Sequence, residues 1–143
     1  MKENRGPGPL RECISQKIPE RLMKYKIILQ QIGLILVIFC IGTAMDWVVH
    51  HANAEFYVPF LYYRNKIIFG TILGFAVLKI VSRWTTNYRW QAFWMSLIVA
   101  ILLQTKYFIL GYELFFVFLF IPIHFLVFLI PSSVIFKKFR SIF

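Results

Sequence analysis

Four apolar stretches, at residues 27–46, 67–84, 90–110 and 114–135, alternate with short polar or aromatic breaks along this chain. Apolar runs of this length with few charges read as transmembrane helices, since about 20 residues at 1.5 Å per residue cover the roughly 30 Å of a bilayer's hydrocarbon. The pattern predicts an all-α polytopic integral membrane protein, with a four-transmembrane-helix bundle over residues 27–135. Upstream, Leu10, Ile14, Ile18 and Leu22 recur every fourth residue among Arg11, Lys17, Arg21 and Lys24. That is the spacing of a basic amphipathic segment lying on a membrane surface, here interrupted at Pro19. Residues 1–26 are thus expected to form a basic cytoplasmic tail and interfacial segment, disordered over MKENRGPGP, and residues 136–143 a second basic tail.

Composition supports this reading. The 143 residues are 59% hydrophobic, 19% aromatic and only 15% charged, a balance outside that of a soluble domain. The net charge of +10 does not point to nucleic acid, because 7 of the 16 basic residues precede position 27 and 3 more fall in the last seven. Charge beside membrane spans sets orientation and attracts anionic lipid head groups. Counting Lys and Arg on the two sides places both termini in the cytoplasm, and the expected aromatic belts agree. Trp47, Tyr57, Tyr62, Tyr63, Tyr107 and Tyr112 fall at the outer interface, with Trp84, Tyr88 and Trp90 at the inner one. The two cysteines, Cys13 and Cys40, sit in different environments and offer no disulfide framework. A cleavable signal peptide fits poorly, as no small-residue cleavage site follows the first apolar run.

Titratable groups concentrate in one place. The stretch AMDWVVHHANAE, residues 44–55, holds two of the three histidines and two of the six acidic residues. Asp46 and His50 are one helical turn apart, so a continuing helix puts both on one face. Carboxylate and imidazole at that spacing can hold a divalent transition metal or orient a histidine for proton transfer. His51 joins only if the helix ends between the two histidines, and Glu55 and Glu113 are further oxygen donors expected on the same side. The competing reading is a structural Asp–His pair at the wet end of the first helix. The Asp-x-x-x-His pair also resembles part of the metal motif of the copper membrane monooxygenase C subunit, but Tyr63 stands where that motif has its second histidine. It is similarly close to the Asp/His clusters of membrane-bound metal-dependent hydrolases, which continue with a His-Arg segment where this chain has Tyr63-Arg64.

His124 lies near the middle of the fourth stretch, two residues after Pro122. An ionisable group at that depth marks a functional site or a neutral histidine bonded to another helix. Gly70 and Gly74 form a GxxxG pair, a groove for close approach of a second helix inside the chain or on a partner. No P-loop, nucleophile elbow or HExxH motif is present. The leading functional expectation is therefore a non-catalytic accessory or assembly subunit packed on larger membrane partners. The alternative is a small metal-dependent membrane enzyme with Asp46, His50 and His51 at the outer face. A third is an oligomeric transporter or channel with His124 on its path.

Overall fold

The computed structural model describes residues 9–52 and 54–143, with side chains from Leu22 onward. Residues 1–8 of the expected tail lie outside the described residues. Four helices follow in order: α1 (Pro9–Ala52), α2 (Phe60–Val81), α3 (Tyr88–Ile109) and α4 (Leu114–Lys138), with one 3-10 turn at Ala54–Phe56 between the first two. Each helix packs on its neighbour in sequence, and α4 closes the ring onto α1. The result is an up-and-down bundle.

Every helix carries a buried stripe spaced three to four residues apart, the period that aligns side chains on one face. On α1 it runs Gln31, Ile35, Ile38/Phe39, Thr43, Asp46, His50, and on α4 Val117, Phe120, His124, Val127/Phe128, Ser132, Phe136. The apolar middle of the stripes forms the core, with Phe39 and Phe128 in contact at 4.7 Å between ring centroids. A Cβ at Gly70 or Gly74 would overlap the Phe39 ring, and one at Gly42 would overlap Phe128. The absent side chains on α2 let α1 seat an aromatic ring against its backbone. Conversely, many large apolar residues face outward, among them Leu29, Leu36, Phe118, Leu126 and Ile130, while Asp46, His50, Lys66, Gln104 and His124 are buried. Apolar surface outside and polar groups inside suit a hydrocarbon solvent.

Three helical segments, Leu22–Ala52, Tyr88–Ile109 and Leu114–Lys138, are long and apolar enough to cross a membrane. α2 is the exception among the four expected spans. It has 22 residues, but Arg64, Asn65 and Lys66 near its start and Lys79 in its last turn interrupt the apolar run.

Element boundaries depart from the sequence reading in informative ways. α1 does not stop at Asp46 but continues to Ala52, and it runs unbroken through Pro19, so the basic segment from Pro9 is continuous with the first apolar run. α2 starts at Phe60 rather than 67 and ends at Val81 rather than 84. The interval of residues 47–66 between the first two apolar stretches is thus mostly helical, and the connection shrinks to the short link between Ala52 and Phe60. Both shifts have one cause: Asp46 and Lys66 pair in the interior, so neither marks a wet helix end. Pro59, extended at φ −68°, stands at the N-cap of α2, where its missing N–H costs nothing. α3 begins with the Asn87 side chain accepting from the Arg89 N–H at 3.0 Å. The α3–α4 turn depends on Gly111, whose φ of +84° is open to glycine at little cost. α4 holds Pro122 and Pro131 within the helix, and Ser132 donates back to the Phe128 carbonyl at 2.6 Å.

Candidate metal centre and its cleft

Toward the end of the bundle where α1 meets the Ala54–Phe56 turn, the stripes become polar and converge on the fully buried carboxylate of Asp46. Lys66 Nζ on α2 lies 2.6 Å from Oδ2. His124 Nε2 on α4 lies 3.0 Å from Oδ1, and His50 Nε2, one turn along α1, is 3.5 Å from Oδ2. The Tyr62 hydroxyl, one turn before Lys66, sits 3.3 Å from each of His50 Nε2, His124 Nε2 and Lys66 Nζ. Gln104 on α3 completes the shell, its amide 2.6 Å from His124 Nδ1. All four helices thus contribute a polar side chain.

The outer contacts fix the tautomers. His50 Nδ1 faces the Phe56 carbonyl, which only accepts, so Nδ1 carries the proton and Nε2 presents a lone pair to the interior. The ring is held flat against Phe120, with centroids 4.8 Å apart and planes 8° apart. A metal-binding histidine is usually prepared in this way, with its far nitrogen donating to a carbonyl. For His124, a Gln104 amide that donates to Nδ1 leaves the Nε2 proton pointing at Asp46. The same amide turned over accepts from Nδ1–H and frees Nε2 as a ligand.

One ligand atom each of Asp46, His50 and His124 lies within 4.8 Å of the others, so the three could hold a metal ion. Ligands about 2.0–2.1 Å from a tetrahedral metal stand about 3.4 Å apart, close to the 3.0 and 3.5 Å carboxylate–imidazole separations here. Two histidines and one carboxylate suit first-row divalent metals and leave open positions. Lys66 acts against cation binding, because its ammonium already balances the Asp46 charge.

The floor of this site opens into a cleft of about 480 Å³. His50, Tyr62, Gln104 and His124 line its base, while Phe56, Tyr107, Phe116 and Phe120 form the walls. Glu55 and Glu113 stand in the lining, with no Lys or Arg among the described residues there. The cleft is therefore acidic where it meets the outside and apolar along its sides.

The Asp46–His50 pair is placed on one helix face as its spacing requires, but His51 does not join it. Because α1 stays helical to Ala52, His51 points away, exposed, with Nδ1 on the Trp47 carbonyl at 2.8 Å. His124 takes the third position instead. Gly70 and Gly74, one and two turns beyond Lys66 on α2, meet Phe39 instead. Sequence reading missed Tyr62, Lys66 and Gln104 as members of the site. Tyr62 and Lys66 repeat the i, i+4 spacing of Asp46 and His50, a signal available once α2 is started at Phe60. Comparison with protein-family models, with curated proteins and with solved structures yields no match, so the site rests on its own geometry.

Proposed function

We propose that this is a four-span membrane protein with both termini cytoplasmic, which holds a divalent transition metal at Asp46, His50 and His124 and acts as a small metal-dependent membrane enzyme on a substrate admitted through the outer cleft. α2 serves as the fourth span despite its charges: Lys66 is neutralised by Asp46, which lowers the cost of placing it among apolar helices.

The observation that carries the reading is the convergence of three ligand atoms from α1 and α4 at the base of an acidic cleft, with the His50 tautomer already set by the Phe56 carbonyl. An accessory subunit needs surfaces for partners, and the Gly70/Gly74 groove that favoured this role is filled by Phe39 of the same chain. A polar cluster of six side chains, five of them buried, is costly in a bundle that only packs. When bound, the metal would supply Lewis-acid chemistry to a substrate in the cleft. The chain's own groups hold the ligands in place: Phe56 and Gln104 orient the imidazoles, and Lys66 keeps the second carboxylate oxygen.

The test is metal binding by the purified full chain after chelator treatment, titrated with Zn²⁺ or Co²⁺. One equivalent should bind, and Asp46→Asn or His124→Gln should weaken affinity at least tenfold, while His51→Gln leaves it unchanged. Equal binding by wild type and Asp46→Asn would remove the metal from the account. Co-isolation from native membranes in a fixed stoichiometric complex, without metal, would restore the accessory-subunit role.

A further inference from the structure

Behind Tyr62 lies a second hollow, a groove of about 470 Å³ between α2 and α3. It shares Val58, Tyr62, Tyr107 and Tyr112 with the first cleft, so the Tyr62 and Tyr107 rings, tilted against each other with centroids 5.7 Å apart, form a thin wall between the two. Their charges are opposite. The first cleft has two glutamates in its lining, whereas the groove has Lys106, the Asp46-paired Lys66 and Asn65, and no Asp or Glu among the described residues.

We propose that this groove binds an anionic phospholipid of the outer leaflet, head group between Lys66 and Lys106 and acyl chain along Phe69, Leu73 and Leu102. The inference goes beyond the metal reading and rests only on the membrane placement. Three features select a lipid over a free anion. The polar groups cluster at one end of the groove, and the remaining wall is hydrocarbon. Phe69 and Leu102 are about half exposed on the bundle's outside, where acyl chains run. Lys106 crosses the groove from α3 to lie over the Phe69 ring of α2 at 5.5 Å, its stem along apolar surface and its ammonium at head-group level. Lys66 has one N–H beyond those used on Asp46 and Tyr62, so it can meet a phosphate oxygen without leaving the carboxylate.

Native mass spectrometry of the full chain, released from vesicles of equal phosphatidylglycerol and phosphatidylcholine, tests the proposal. Phosphatidylglycerol should be retained preferentially. Lys106→Gln should lower that retention about fivefold, the worth of one interfacial lysine, and Lys106→Arg should keep it. Lys137→Gln, at the opposite end of the bundle, should have no effect. Lys106 is exposed, so its replacement leaves the fold intact. Undiminished retention in Lys106→Gln overturns the site. So does displacement of the lipid by excess inorganic phosphate, which would make a free anion the occupant. In lipid-free detergent, metal titration of Lys106→Gln should match wild type, so failure of the lipid site and failure of the metal site give different results.

Discussion

Lys66 sets the energetics of the Asp46 site. A buried carboxylate stripped of its cation costs about 3–5 kcal/mol in the folded state, and here Lys66 and Asp46 are both almost fully buried at 2.6 Å. Lys66→Gln should therefore destabilise the metal-free protein by about that amount, read as a fall in thermal midpoint in detergent. The same variant should bind divalent metal more tightly than wild type, and saturating metal should recover most of the lost stability. Loss of stability with no gain in metal affinity would mean that the lysine is only a structural counter-ion. At this scale the sequence was legible where one helix settled the matter: Asp46 and His50 face the same way because both lie on α1. His124, Lys66 and Gln104 come from three other helices, and no local spacing says which residues meet across a bundle.

At the level of elements, the Gly70/Gly74 face of α2 is the tightest joint. Leucine at either position must displace the Phe39 ring, and overpacking of this kind costs about 1–3 kcal/mol. Gly70→Leu should lower the thermal midpoint, and combining it with Phe39→Ala should recover part of the loss. A double variant no better than the sum of the singles would show that the two do not share a contact. Gly111→Ala tests a different property, since nothing lies within 4 Å of the added methyl but the backbone sits at φ +84°. It should cost about 1 kcal/mol through strain alone. Hydropathy located all four helices, because apolar residues, outward-facing and core alike, dominate their composition. It misplaced the end of α1 and the start of α2, since Asp46, Arg64 and Lys66 register as polar breaks although Asp46 and Lys66 are paired inside.

For the whole molecule, the basic-residue asymmetry and the four-helix order make one topology testable. In a background lacking Cys13 and Cys40, Ala54→Cys should react with an impermeant maleimide added outside sealed cells, and Ser141→Cys only after permeabilisation. Labelling of position 54 from the cytoplasmic side would overturn the four-span arrangement. Lys66 lies against Asp46 on one side and lines the basic groove on the other. A shared ammonium cannot serve two anions equally. Whatever draws it toward the groove leaves the carboxylate more negative and raises its affinity for a cation. Thermodynamic reciprocity then requires that cation to strengthen the groove's hold on its anion by the same factor. The two hollows would act as the two arms of a single balance, with Lys66 at the pivot.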